Sequence, residues 1–385
     1  MNFDLVEKIA DAVLYEGYIL YPYRPSAVKN QQRWNFGALC PPSYSEAQRG
    51  TEACVMQTQC LLEGRDETTL NIKLRFLHLV TRQVAEAVFD CQLGVRECGH
   101  RSFPALSPAH FRVVPSLTVL GKTWQTWEEA VEREVLLSDL KLSELVGTPF
   151  GKTFSFLESE LVEPLRDESS GEIVALVLRR QQAINAAIEV QVTSLDSDPV
   201  STFMLTVRVL NQTQLADASE RSRSEALMRS LVSTHSILHV NAGGFYSQLD
   251  PPEALKNESA GCNNIGTYPV LVGDEGAREC MLSSPIILYD YPQIAPESAG
   301  NLFDGTEIDE ILTLRIMTLT EDEKNEIRGA DDRARLILER TETLPAEQLM
   351  KMHGAMKGAR RGIVDCRLPI ADCGSLVSDQ ITNED

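Results

Sequence analysis

The sequence predicts an α+β protein, with an antiparallel β-sandwich-like sheet in its first two thirds followed by a mixed α/β C-terminal part. Apolar and polar residues alternate through residues 70–80, which is the period of a half-buried strand. Residues 188–193 and 203–209 alternate in the same way and flank a polar turn at 196–199, as in a β-hairpin. The apolar positions of these runs are Leu70, Ile72, Leu74, Phe76, Ile188, Val190, Val192, Phe203, Leu205, Val207 and Val209.

The first element along the chain is a predicted helix that ends near Gly17. Its apolar residues recur with helical spacing and so share one face: Val6, Ile9, Ala10, Val13 and Leu14. From Gly17 to Tyr44 the density of prolines excludes a long helix or a central strand, so this part is predicted to be irregular.

The predicted sheet continues with a hairpin of residues 154–165 and 173–179. A change of composition near Ala216 marks a boundary, which a helix over 222–232 follows. Farther on, strands are predicted at 236–240, 268–272, 286–289 and 311–319, and helices near 320–340 and 345–357, the first of which has a Thr320–Glu323 capping box. The predicted segments are 1–62, 63–215, 216–374 and a polar tail over 375–385.

Composition excludes several classes of protein. The 385 residues carry a formal net charge of -20, which disfavours nucleic acid and anionic membranes as partners. No run of 18 apolar residues predicts a membrane span, and Asp4 and Glu7 are unlike a secretory signal. Nine scattered cysteines are typical of reduced thiols, so we expect a cytoplasmic protein.

Two motifs resemble sites without meeting their requirements. Residues 147–153 resemble a phosphate loop, but one residue is missing and a strand-like run follows where the site needs a helix. His235 and His239 are four residues apart, which on a helix would suit one metal ion. The surrounding pattern predicts a strand instead, in which the two imidazoles are too far apart to share a metal.

A metal site remains an alternative at two other places. Cys91, Cys98 and His100 could hold zinc if a distant residue supplied a further ligand, although their spacing fits ordinary buried thiols better. The acids around Asp304, with Asp290, could hold a hard cation, but they lack the pattern of a calcium loop. We therefore expect no bound metal or cofactor, and the sequence leaves open whether the protein is an enzyme.

The most distinctive stretch, residues 18–36, is called the basic aromatic segment below. Between Gly17 and Ser45 the chain has three positive charges and no acid. Tyrosine, tryptophan and arginine are enriched at binding hot spots, so a partner-binding role is predicted. Packing of the rings onto the sheet, with the cations paired to acids of the body, is the competing interpretation. The predicted contact residues are Tyr21, Tyr23, Arg24, Lys29, Arg33 and Trp34.

Residues 14–30, with the sequence LYEGYILYPYRPSAVKN, and residues 282–297, with the sequence LSSPIILYDYPQIAPE, carry a resemblance to a family. The chain resembles an uncharacterised bacterial protein family encoded near nickel–iron hydrogenase structural and maturation genes. The resemblance implies a role near hydrogenase assembly and gives no catalytic residue. The chain lacks the cysteine pairs that hold nickel and iron, so it is not the hydrogenase itself.

These observations predict a cytoplasmic accessory or scaffold protein that binds a protein partner, which the resemblance suggests is a hydrogenase subunit or a maturation factor. The alternative function is a metal-dependent enzyme whose site includes Cys91, Cys98 or His100, or acids such as Asp290 and Asp304.

Overall fold

The computed structural model describes residues 3–15, 34, 36–87, 111–119, 121–167, 171–195, 201–293, 316–330, 332–343 and 345. Its strands are β1 Val55–Gly64, β2 Thr69–Ala87, β3 Phe111–Val114, β4 Ser116–Val119, β5 Lys122–Gln125, β6 Trp127–Lys141, β7 Phe150–Phe156, β8 Ser159–Arg166, β9 Ile173–Gln181, β10 Ile184–Ser194, β11 Ser201–Asn211, β12 Val232–Asn241, β13 Gly244–Phe245, β14 Tyr268–Leu271 and β15 Cys280–Ser284. Its α-helices are α1 Phe3–Tyr15, α2 Pro42–Ala47, α3 Leu142–Leu145, α4 Arg223–Leu227, α5 Lys256–Ala260, α6 Glu321–Ala330 and α7 Asp332–Thr343.

Two antiparallel sheets form the body. The smaller sheet has the strand order β13-β1-β11-β10-β7, and the larger has the order β14-β15-β12-β2-β9-β8. Strands β3 and β6 also pair with β2, and β4 and β5 form a separate two-stranded ladder. The 19-residue β2 is the centre of the larger sheet, because four strands pair with different parts of it: β3, β6, β9 and β12.

The main core lies between the two sheets, and it confirms the predicted α+β, sandwich-like fold. Every apolar position that predicted the three strands is buried in this core, from Leu70 to Phe76 on β2 and in the β10–β11 hairpin. The alternation arises because successive side chains of a strand point to opposite faces, and only one face of each strand meets the other sheet.

Helix α1 packs on the outer face of the larger sheet and confirms the first predicted element. Val6, Ile9, Ala10 and Val13 form a second core with residues of β12, β14 and β15. The end of the helix is also tied down, since Ser233 Oγ donates to the Val13 carbonyl oxygen over 3.0 Å.

Several predicted elements are confirmed and others are wrong. The β8–β9 hairpin, β12 and β14 lie where the patterns predict them, and the Thr320–Glu323 capping box begins α6 with both of its bonds. The predicted strand over 154–165 is two strands, β7 and β8, which belong to different sheets. Ile316 and Met317 form a helical turn rather than part of a strand.

Two further differences have local causes. The helix predicted over 222–232 ends at Leu227, because Leu231 exchanges backbone hydrogen bonds with Leu39 and is thereby drawn into an extended conformation. Residues 286–289 are not a strand, since β15 ends at Ser284 and the following Pro285 has no N–H for a ladder.

The predicted division into segments stays a prediction. The larger sheet is nevertheless continuous across residue 215, because β12 of the third predicted segment pairs with β2 of the second over residues 69–77. The helix predicted near 345–357 and the tail over 375–385 lie outside the described residues.

Candidate functional site

Trp34 lies at the end of the basic aromatic segment, on the outer face of the larger sheet. Its side chain is buried, and its indole Nε1 donates to Glu128 Oε2 on β6 over 3.1 Å. Its carbonyl oxygen accepts from Arg223 Nη2 over 3.4 Å, and its backbone has a φ of 68°. The ring packs in a cluster that includes Leu77 and Leu227. In this arrangement the indole anchors the segment to the body and is covered.

The other five predicted contact residues, Tyr21, Tyr23, Arg24, Lys29 and Arg33, lie outside the described residues. Their partner-binding role therefore stays a prediction. The contact of Trp34 with Glu128 does place the end of the segment beside β6, a strand rich in glutamate. Pairing of the cations with acids of the body remains the competing interpretation.

A second surface comes from residues 285–291, which follow β15. Ile286 and Leu288 pack against the core beneath α1. Ile287 and Tyr289, which alternate with them, are 72% and 85% exposed. We call Ile287 and Tyr289 the exposed apolar pair.

The backbone that carries the exposed apolar pair is fixed by hydrogen bonds of the next two residues. The Asp290 carboxylate accepts from the Leu271 backbone N–H over 2.8 Å and from the Ser247 hydroxyl. Tyr291 N–H donates to the Leu271 carbonyl oxygen over 2.7 Å, and its hydroxyl donates to the Ala277 carbonyl oxygen over 3.0 Å. Asp290, an alternative metal ligand in the sequence, thus has a structural role here.

The second sequence block that carries the family resemblance packs against α1, the helix in which the first block begins, and residues 16–30 of the first block lie outside the described residues. The first block begins at Leu14, within α1, and the second begins at Leu282 on β15. Residues Leu282, Ile286 and Leu288 of the second block share one apolar cluster with Val13 and the preceding turns of α1. The helix that precedes the basic aromatic segment in the chain therefore packs against Ile286 and Leu288, which alternate with the exposed apolar pair.

Among the described residues, Cys60, Cys280, His78 and His235 are fully buried, and cysteine and histidine are types that often carry catalysis. Burial raises the pKa of the Cys60 thiol, and raises that of Cys280 to about 12. Burial lowers the pKa of His78 and of His235 to about 4, so both imidazoles are neutral at pH 7. Cysteine reacts as the thiolate, so the raised pKa values suppress the reactivity of Cys60 and Cys280.

The histidine pair lies on a strand, and a strand follows the loop that resembles a phosphate site, as the sequence predicts in both cases. His235 and His239 lie on strand β12, and the His235 Nδ1 atom is hydrogen-bonded to the Ser233 carbonyl oxygen over 2.9 Å. Strand β7 begins at Phe150, so no helix follows the loop.

Within the described parts of the chain, no group of three or more His, Cys, Asp or Glu residues could hold a metal ion. Cys91, Cys98, His100 and Asp304 lie outside those parts, so the zinc and cation alternatives stay untested.

Comparison with known proteins leaves the family resemblance as it stood. No protein-family model matches the chain, and no curated protein matches its sequence at a significant level. Among the residues that the structure describes, no helix is both long enough and apolar enough to cross a membrane.

The exposed apolar pair could not be predicted from the sequence, because the local pattern indicates a buried strand. Residues 285–289 form an almost continuous apolar run, which predicts a buried strand. Only the tertiary structure shows that alternate residues of this run face solvent.

Proposed function

We propose that the protein is a cytoplasmic accessory protein that binds a protein partner. The observation that carries this proposal is the exposed apolar pair, Ile287 and Tyr289. Leaving a large apolar side chain in water forgoes roughly 1.5–3 kcal/mol of burial free energy. Large apolar and aromatic residues grouped on a surface are typical of partner-binding sites, where a few of them supply most of the affinity.

The backbone that carries the exposed apolar pair is also preorganised for binding. This backbone is held by the bonds of Asp290 and Tyr291, and Leu288 between the two residues is partly buried against the core. A fixed backbone has already lost most of its conformational entropy, so less free energy is lost when a partner binds.

The basic aromatic segment is the proposed second part of the contact surface. It follows α1 in the chain, and α1 packs against Ile286 and Leu288, which alternate with the exposed apolar pair. The partner that suits both parts has an apolar pocket for Ile287 and Tyr289 and acidic groups for Arg24 and Arg33. Trp34 is assigned an anchoring role, since its indole is buried and bonded to Glu128.

The class of partner rests on the family resemblance. Proteins of that family are encoded near nickel–iron hydrogenase genes, so a hydrogenase subunit or a maturation factor is the proposed partner. The second block that carries the resemblance contains the exposed apolar pair and packs against α1, the helix in which the first block begins, which supports this surface as the one that binds.

The test is affinity capture of the tagged protein from its native host, grown under conditions that induce hydrogenase, with identification of partners by mass spectrometry. The wild-type protein should recover a hydrogenase subunit or a maturation factor. The double variant Ile287→Ser, Tyr289→Ser should lose it, because its hot spots are removed while its core is untouched.

Leu157→Ser is the matched control, because Leu157 is 80% exposed in the connection between β7 and β8, away from the exposed apolar pair. It should recover the partner as the wild-type protein does. Recovery of the same partner by the double variant at wild-type yield would contradict the proposal. A second double variant, Arg24→Ala with Arg33→Ala, tests the basic aromatic segment separately.

A further inference from the structure

A groove lies on the outer face of the smaller sheet, where β7, β10 and β11 run side by side. Its volume is about 390 Å³, which falls within the range of sites for small molecules. The residues that line it include Phe150, Gly151, Glu189, Gln191, Thr206 and Arg208. The groove is remote in sequence from the exposed apolar pair.

The strand register explains why these side chains meet. Glu189 on β10 lies directly opposite Arg208 on β11 and Gly151 on β7, so the three residues form one row across the sheet. Gln191 and Thr206 are opposite each other in the next row. Their neighbours Ile188, Val190 and Val207 are buried in the core, so these polar side chains extend from the outer face.

Gly151 is what leaves the groove open at the edge of the sheet. No atom lies within 4 Å of the position that a Cβ would occupy at this glycine. A side chain there would therefore fill empty space in the groove rather than collide with the protein.

The polar groups of the groove offer both donors and acceptors. Arg208 Nη1 donates to Glu189 Oε2 over 3.0 Å, and the guanidinium carries further N–H donors. Thr206 Oγ1 accepts from Gln59 Nε2 over 3.1 Å, which leaves the hydroxyl hydrogen free to donate. The Gln191 amide can donate and accept.

The charges of the groove cancel. Glu189 and Arg208 form an ion pair, so a charged ligand would have to compete with one member of the pair for the other. A neutral ligand with adjacent groups that each donate and accept hydrogen bonds can bond to the polar side chains of the groove without breaking the Glu189–Arg208 ion pair. Adjacent hydroxyl groups on a sugar ring have this property.

We propose that the groove formed by Gly151, Glu189, Gln191, Thr206 and Arg208 binds a neutral saccharide. The ring lies over Gly151, where no side chain intervenes, and its hydroxyl groups bond to the Glu189–Arg208 pair and to the Gln191 amide.

The experiment titrates the full-length protein with methyl glycosides of glucose, mannose, galactose and N-acetylglucosamine, and follows binding by calorimetry and by saturation-transfer NMR of the sugar. The wild-type protein should bind at least one of them saturably. Gly151→Val should abolish this binding by filling the groove. Gln191→Ala should weaken it roughly two- to twelvefold, the effect of losing one hydrogen bond.

Ser155→Val is the matched control, since Ser155 is exposed on the same face of β7, outside the groove lining. Valine suits a strand, so both valine variants should melt close to the wild-type temperature and differ only in binding. Absence of saturable binding by every glycoside would overturn the proposal, as would unchanged binding by Gly151→Val. Saturable binding of acetate or methylammonium in place of the glycosides would also overturn it, because the site would then select a charged ligand.

Discussion

The indole Nε1 of Trp34 donates a hydrogen bond to Glu128 Oε2, joining two residues that are 94 positions apart in the chain. The bond connects the end of the basic aromatic segment to β6, and the buried ring adds apolar contacts with the outer face of the larger sheet. The segment that most resembles a binding site is therefore held to the body at one end by a structural tryptophan.

Replacing Trp34 should lower the stability of the whole protein. Trp34→Ala removes a buried ring and should reduce the free energy of unfolding by about 3–5 kcal/mol. Trp34→Phe keeps a ring but loses the bond to a carboxylate, and should cost about 1.5–3 kcal/mol. Urea unfolding followed by circular dichroism measures both values.

Trp124→Phe is the control for the tryptophan variants. The Trp124 ring lies half-buried under the Lys122 ammonium on the small β4–β5 ladder, so its replacement should cost less than about 1 kcal/mol. Equal stability of Trp34→Ala and Trp124→Phe would contradict the anchoring role.

Two buried histidines should make the protein less stable in mild acid. Burial lowers the pKa of His78 and of His235 to about 4 from the ordinary value of 6.5, and nearby Arg133 and Arg75 act in the same direction. The pKa values of both histidines are lower in the folded state than in the unfolded chain, so the histidines leave the free energy of unfolding undiminished above pH 6.5. As the pH falls from 6.5 towards 4, the free energy of unfolding decreases by roughly 3 kcal/mol for each histidine.

The measurement for the histidines is the free energy of unfolding at several pH values between 7.5 and 4.5, for the wild-type protein and for a His78→Gln, His235→Gln variant. Carboxylates titrate in both proteins, so the difference between the two curves isolates the histidines. The variant should lose less stability over this range, and parallel curves would contradict burial of the two imidazoles as neutral groups.

Arg75 should hold α1 against the larger sheet. Its side chain is only 4% exposed, and it pairs with Asp11 of α1 over 2.7 Å and with Glu134 of β6 over 3.0 Å. Glu7 and Glu132 lie 3.5 Å from it. Arg75→Met would leave four carboxylates without their shared cation, and should cost about 2–3 kcal/mol because these acids are exposed enough to hydrate.

Hydrogen exchange gives the local readout for Arg75. The amides of α1 should exchange faster in Arg75→Met, while those of the β10–β11 hairpin should be less affected. Lys73→Met is the matched control, since the Lys73 ammonium pairs with Glu7 alone among the described residues and is partly exposed, and it should leave α1 nearly as protected as in the wild-type protein. Unchanged exchange of α1 in Arg75→Met would contradict the proposed role.

The parts of the fold that could be predicted from the sequence are those with strong local patterns. Apolar and polar residues alternate from Leu70 to Phe76 on β2, the β10–β11 hairpin has a polar turn between two alternating runs, and α6 begins with a capping box. Each depends on residues that are close in sequence, so periodicity and capping chemistry are sufficient to identify it.

The parts that could not be predicted depend on distant pairings. Strand β12 joins β2 in the larger sheet although more than 140 residues lie between them, and β7 and β8 are assigned to different sheets with only two residues between them. Nothing in the local pattern separates Ile287, which is exposed, from Ile286, which packs beneath α1. The candidate site therefore required the tertiary structure.

The most direct test of the central claim is the affinity of the captured partner for three purified proteins: the wild type, the Ile287→Ser, Tyr289→Ser variant and the Leu157→Ser control. A hot-spot residue contributes 2 kcal/mol or more, so the double variant should bind at least about thirtyfold more weakly, with an unchanged melting temperature. The control should bind as the wild type does. Equal affinity of all three proteins would contradict the claim that the exposed apolar pair binds the partner.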